Sequence, residues 1–186
     1  MSQRRPHIAP RRRVFIGCEG ESERGYAGFL QRLAEELGLA IFIDAVVLQP
    51  GGGNPLQIVS KAIAEHKARA SSKGAYFTRA IFLDTDKVGE VEGGKKTVEA
   101  AAGKAGIILV WQDPCHEAFL LRHFDGAQTH KPNTSQEALR RLTTAWPKYE
   151  KGSSAFAISQ CLDYAAVQRA MTVEPDLAAF LKKLGF

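Results

Sequence analysis

The chain has 186 residues, 45% of them hydrophobic and 24% charged, which suits one globular domain with a sizeable core and argues against wholesale disorder. Its apolar runs, such as IFI at 41–43 and IILVW at 107–111, fall far short of the roughly 18–20 residues a membrane span needs, so no membrane partner is expected. The first residues include no apolar leader, and Cys18, Cys115 and Cys161 are odd in number and widely spaced, so a reduced, cytoplasmic protein is expected. The net charge of +5 resides in the first 13 residues, where Arg4, Arg5, Arg11, Arg12 and Arg13 stand without an acid; the rest of the chain is neutral. Residues 1–13 therefore read as a basic disordered arm, either simply solvated or able to screen phosphates in a salt-dependent way.

After the arm, Val14-Phe15-Ile16-Gly17-Cys18 is an apolar run that reads as a buried strand. Tyr26, Phe29, Leu30, Leu33 and Leu37 recur at helical spacing up to Gly38. Residues 41–48 are strand-like, and Pro50-Gly51-Gly52-Gly53 forms a loop before a helix capped by Asn54, opened by Pro55 and running to about residue 72. A third strand at 79–83 ends in Asp84-Thr85-Asp86. A helix from Gly93-Gly94 to about residue 105 leads into a fourth strand at 107–111. The alternation predicts an α/β fold, a mostly parallel sheet with helices on both faces. Beyond it the pattern is helical, at 115–124, 135–145, 162–171 and 175–184.

In an open parallel sheet, ligands collect at the carboxyl ends of the strands, and that is where the acids fall. The first strand runs into Glu19-Gly20-Glu21-Ser22-Glu23, the third into Asp84 and Asp86, and the fourth into Asp113, with Glu117 shortly after. Asp84 and Asp86, at alternate positions, can share one site. Glu19 and Glu23, four apart, become neighbours if a helix begins at that loop. Carboxylates gathered so closely raise one another's pKa values, and a hard divalent cation such as Mg²⁺ or Mn²⁺ relieves them. A lone DxD at a strand end is common in proteins that bind no metal, and Glu21 and Glu23 favour a helix dipole whether or not they ligate. The reading rests on several acidic clusters at the ends of strands in one sheet.

The segments VFIGCEGESERGYAGFL, PGGGNPLQIV, IFLDTDKVG and DPCHEAFLLRHF, in this order and spacing, resemble the RloB-like family over roughly residues 13–125, and WPKYEK at 146–151 is similar to its C-terminal Tyr-Lys region. The resemblance implies a Toprim-like, Rossmannoid core over 14–125 with a helical C-terminal extension over 126–186 packed on it. It also implies a nuclease of phage defence of the abortive-infection kind. In Toprim sites an acid follows the first strand and a DxD a later one, which Glu19 with Gly20 and Asp84 with Asp86 match. The Glu19–Glu23 spacing is similar to that of OLD-type nucleases and implies two metal ions rather than one. Glu117 resembles an added metal-site acid. His116 stands where the family has an aromatic residue, and Asp113 where it tends to have Asn.

Other readings compete. IFLDTDKV also fits a haloacid-dehalogenase-like phosphatase with Asp84 as nucleophile, but no Asp-Asp pair follows residue 86 to complete the magnesium site. His116-Glu117 begins like a zinc-protease HExxH, yet the next histidine is His123. Gly51-Gly52-Gly53 lacks the Lys-Ser/Thr of a P-loop, so ATP dependence would need a partner ATPase. The Tyr26/Phe29/Leu33 and Phe119/Leu120/Phe124 stripes, Trp111 and Trp146 read as packing residues.

The leading expectation is metal-dependent phosphodiester hydrolysis of DNA or RNA. Glu19, Asp84 and Asp86 would be catalytic, and Glu19, Glu23, Asp84, Asp86 and Glu117 would hold one or two Mg²⁺ or Mn²⁺ ions. Arg11, Arg12, Arg13, Lys87, Lys148 and Lys151, with Lys95 a further candidate, would meet the phosphates. The alternative from another class is a non-catalytic nucleic-acid-binding or regulatory partner of a defence ATPase.

Overall fold

A parallel sheet of four strands organises the protein, described here from a computed structural model over residues 10–48 and 53–186. The strands are β1 (Arg12–Cys18), β2 (Ile41–Val47), β3 (Thr78–Asp84) and β4 (Ile108–Gln112). Their spatial order is β2-β1-β3-β4 and every pairing is parallel. The expected α/β alternation is present, as in Rossmann-like folds. The chain leaves β1 toward one side of the sheet and returns to the other, so β1 and β3 flank the point at which strand order reverses. A crevice for ligands forms there, at the strands' carboxyl ends.

Side-chain alternation divides the sheet into two apolar faces. Val14, Ile16, Ala80, Phe82 and Val110 enter one core with α1 (Glu21–Glu36), α4 (His116–Leu121), α7 (Tyr164–Met171) and α8 (Pro175–Leu184). Phe15, Ile81, Leu83 and Trp111 enter the other, beneath α2 (Pro55–Lys73) and α3 (Gly94–Lys104). The C-terminal helices share the first core: Phe180 meets the Phe82 ring edge-on at 6.0 Å, and Leu177, Leu181 and Leu184 are fully buried. The Tyr26/Phe29/Leu33 stripe, Phe119, Leu120, Trp111 and Trp146 are buried as expected, while Phe124 is partly buried. No described helix is long and apolar enough to cross a membrane.

Local sequence accounts for most boundaries. Gly38, at φ +67°, ends α1 where a side chain would be strained. Asn54 and Gln57 form reciprocal caps at 3.1 and 3.0 Å, and Pro55 opens α2. Thr134 caps α5 (Ser135–Ala145), and Asp163 caps α7. The short α6 (Ala155–Ser159), capped by Ser154, has too few residues to show a helical period in the sequence.

One boundary moves. β1 begins at Arg12 rather than Val14, so Arg12 and Arg13 belong to the sheet and not to a disordered arm. The Arg13 guanidinium lies 4.2 Å from the Tyr76 ring and donates to Asp44 Oδ2, Tyr76 OH and the Lys73 carbonyl. Arg12 covers the Phe77 ring at 4.3 Å. Partners distant in sequence thus turn tail-like residues into strand. Residues 1–9 of the arm, including Arg4 and Arg5, and the loop residues Pro50, Gly51 and Gly52 lie outside the described residues.

Candidate active site

Three strand ends meet at the carboxyl edge of the sheet. Cys18 pairs with Phe82 across β1 and β3, so Glu19, one step beyond β1, reaches Asp84 at the end of β3. The Asp84 backbone N–H donates to Glu19 Oε2 at 3.3 Å. Asp84 in turn pairs with Gln112 of β4. The turn after β3 is fastened to the loop after β4. Thr85 N–H donates to the Gln112 carbonyl at 3.1 Å, Asp86 N–H to the Pro114 carbonyl at 3.2 Å, and Thr85 Oγ1 to Asp113 Oδ1 at 2.8 Å.

Two helices add the remaining acids. α1 starts at Glu21, after Gly20, so Glu19 precedes the helix and the expected i,i+4 relation with Glu23 does not apply. Glu23 instead folds back over the helix start, where its Oε2 accepts the Gly20 N–H at 2.8 Å. This capping bond holds Glu23 near Glu19 by another route. Glu117, in the first turn of α4, is 5% exposed and accepts from the Tyr149 hydroxyl at 3.2 Å.

The other four acids all act electrostatically on Asp84. Burial pushes the Asp84 carboxyl up to about 9, and Glu23, Glu19, Asp86 and Glu117 all push the same way. Burial also raises Glu19 to about 6, with Glu23 and Asp86 adding to the effect; the Asp84 N–H and Lys87 oppose it. Glu117 differs. Burial acts to raise it, but Lys151, whose Nζ lies 3.5 Å from Glu117 Oε1, and local hydrogen bonds hold it below the ordinary value.

Asp84 Oδ1 is buried and has no hydrogen-bond partner. A buried carboxylate oxygen without a donor costs free energy, and hard cations are bound by oxygens of this kind. The donor set, five carboxylates with no thiolate among them, fits Mg²⁺ or Mn²⁺. Among the described residues no three His, Cys, Asp or Glu side chains stand, as they lie, in positions that could hold a metal ion.

The lysines separate. Lys87 acts on Glu19 and Lys151 on Glu117, while Lys148 is exposed. Lys95 lies 4.9 Å from the Trp111 ring, a residue of the other sheet face. Arg11, Arg12 and Arg13 stand at the amino end of β1, about 20 Å of strand away from Glu19. Arg11 pairs there with Glu35 at 3.3 Å, and the other two are held as described above.

Tertiary packing brings Tyr149 and Lys151 to this edge. An added Cβ on Gly25 would fall 2.0 Å from the Ser153 carbonyl oxygen, and one on Gly28 would fall 2.9 Å from Ala155 Cβ. The small residues of α1 therefore form the seat of the 152–155 segment, which Gly152 N–H fastens to Ser22 Oγ at 2.9 Å. Sequence reasoning named Lys151 but gave Tyr149 no contact and missed Gln112 and Gly25. The glycines at i and i+3 of α1 were the available signal.

His116 keeps the packing of the aromatic residue expected in its place. It stacks on Phe119 at 5.8 Å and 27°, with Tyr26 edge-on at 6.1 Å. Its Nδ1 lies 2.9 Å from Gln112 Nε2 and 3.7 Å from Glu23 Oε1, and burial lowers its pKa. His123 is structural, bonded to the Tyr26 hydroxyl at 2.8 Å. Cys18 and Cys115 are buried free thiols, and Cys161 is free and exposed.

A family model described as RloB-like protein matches residues 14–180 of the chain. No curated protein and no solved structure matches the chain.

Proposed function

Because the chain belongs to the RloB-like family, we propose that it hydrolyses phosphodiester bonds of nucleic acid, using one or two Mg²⁺ or Mn²⁺ ions held by Glu19, Glu23, Asp84, Asp86 and Glu117. The observation that carries this reading is Asp84, whose buried, unpartnered oxygen is surrounded by four other acids. Its place beside Glu19 at the switch point of a parallel sheet supports a Toprim-type site. A role in phage defence is part of the same proposal, as is control by a partner ATPase.

A divalent cation supplies Lewis acidity and offsets the charge that develops on phosphate oxygens. The protein's own residues do the rest. Asp84 and Asp86 at the end of β3, Glu23 in α1 and Glu117 in α4 offer oxygen ligands from three separate backbone segments, which fixes their relative positions. Glu19, pushed up to about 6 by burial in the metal-free protein, is the acid suited to act as a general acid or base instead of a ligand, with the other four holding the metal. Lys151 and Lys87 place positive charge beside the acids, where a phosphodiester would otherwise be repelled. Tyr149 holds Glu117 in position through its hydroxyl.

The test incubates the purified chain with single- and double-stranded DNA and with RNA, in Mg²⁺, Mn²⁺ or EDTA, beside Asp84→Ala/Asp86→Ala. Cleavage that requires the metal and disappears in the double variant is the expected result, and it identifies the substrate. Cleavage retained in the variant overturns the site. If no substrate is cut, even with a cognate ATPase added, but nucleic acid is still retained with a steep salt dependence, the chain is a binding module.

A further inference from the structure

A second pocket lies at the far end of α4 from Glu117, between the carboxyl end of that helix, the 124–130 turn and α5. Its volume is about 470 Å³, within the range of small-molecule sites. Leu121, Phe124 and Ala127 give it an apolar wall, His130, Arg140 and Arg141 add polar and cationic groups, and Asp125 is the acid of the lining.

Three features point to the class of ligand. Two guanidiniums on adjacent residues of α5 favour an anion. Arg141 is partly engaged, since its Nε and Nη2 donate to Glu137 Oε1 at 3.0 and 2.6 Å, whereas Arg140 is exposed and forms no ion pair among the described residues. The partly buried Phe124 ring and the buried Leu121 present a surface suited to a flat ring. His130 is anchored through its backbone. Its N–H donates to the Ala127 carbonyl at 3.0 Å, and its carbonyl accepts from Arg122 Nε at 3.2 Å. Yet its Nδ1 is buried with no hydrogen-bond partner. A buried ring nitrogen of this kind is costly unless a ligand or water meets it.

We infer that this pocket binds a nucleoside 5′-phosphate unit, with the base against Phe124 and Leu121, the phosphate met by Arg140 and Arg141, and a turn of the His130 ring bringing its buried Nδ1 to the polar edge of the base or sugar. Such a unit is available as a free nucleotide or as one residue of a nucleic-acid strand, and the chemistry of recognition is shared. None of the pocket residues belongs to the five acids, so the inference stands apart from the metal-site reading. α4 nevertheless joins the two places: Leu121 lies four residues beyond Glu117, about 6 Å along the helix axis.

Calorimetric titration of the full chain in EDTA tests this without cleavage. The ligands are the four common nucleoside 5′-monophosphates, a short oligonucleotide, a free nucleoside and ribose 5-phosphate. At least one monophosphate or the oligonucleotide should bind, with the free nucleoside and ribose 5-phosphate each about tenfold weaker or more. Arg140→Gln, at an exposed position, and Phe124→Leu, which keeps an apolar side chain, should each weaken binding about tenfold with an unchanged circular dichroism spectrum. Loss of affinity in Arg140→Gln and Phe124→Leu with no metal present separates this pocket from the carboxylate site. Tighter binding of the oligonucleotide identifies a strand-reading site, and tighter binding of the mononucleotide a free-nucleotide site. Absence of binding by every ligand, or affinity unchanged in both Arg140→Gln and Phe124→Leu, overturns the inference.

Discussion

The two ends of the sheet handle charge in opposite ways. At the amino end, Asp44 accepts from Arg13 Nη2 at 3.1 Å, Arg69 Nη1 at 3.2 Å and the Tyr76 hydroxyl at 2.5 Å. One acid there has two cations and a hydroxyl, and Arg13 is also covered by the Tyr76 ring. At the carboxyl end, four other acids act on Asp84, two lysines stand near them, and one buried oxygen has no partner. Both ends hold ionisable groups partly removed from water. Compensation at the first makes it a structural clamp, while the excess negative charge at the second is not balanced by the nearby lysines, and under the proposed function a divalent cation would relieve it.

Removing charge without removing shape should give the largest separation between the two ends. Glu23→Gln keeps an acceptor for the Gly20 N–H but deletes one carboxylate. We expect metal-dependent cleavage to fall more than about 100-fold, with thermal stability preserved or improved. Cleavage within a few-fold of wild type would remove Glu23 from the site.

At the amino end the same kind of change should act on stability alone. Asp44→Asn leaves Arg13 without a counter-charge and Arg69 with Glu65 alone, and should cost about 2 kcal/mol in chemical denaturation. Cleavage per folded molecule should remain as in the wild type. A loss of cleavage without a loss of stability would show that the two ends are not functionally distinct.

The smallest effect concerns proton binding at the carboxyl end. The folded Asp84 carboxyl is pushed up to about 9 from its ordinary 3.8, so the metal-free folded chain keeps a proton that the unfolded chain gives up. This contribution is fully present below about pH 4 and is lost as pH rises through about 9. Glu19 acts in the same direction as pH rises toward about 6. The metal-free protein should therefore lose stability from pH 5 to pH 9. Asp84→Asn should flatten that profile and raise stability by about 1 kcal/mol at pH 8. Parallel profiles for variant and wild type would show that Asp84 titrates normally.

The acids were readable in the sequence because each follows directly from a strand whose apolar run identifies it. Val14–Cys18 leads to Glu19, and the run ending at Leu83 leads to Asp84 and Asp86. Glu117 was readable through the resemblance. The lysines were not separable: Lys87 and Lys148 both lie in polar segments, and only the packing of α1 against residues 152–155 selects Lys151 for Glu117. The arginines were misplaced for a related reason. A run of Arg reads as a solvated arm until Tyr76, Phe77 and Asp44, remote in the chain, are found beside it.

The sequence by itself determined the alternation of strands and helices, the helix caps and the acidic strand ends, because periodicity, capping and strand termination are local properties of the chain. Only the tertiary structure decided the strand order β2-β1-β3-β4, the approach of Glu23 and Tyr149 to the other acids, the orphaned oxygen of Asp84 and the pocket beyond α4. These depend on which distant surfaces bury one another, and burial sets both the proton affinity of an acid and the partners within its reach.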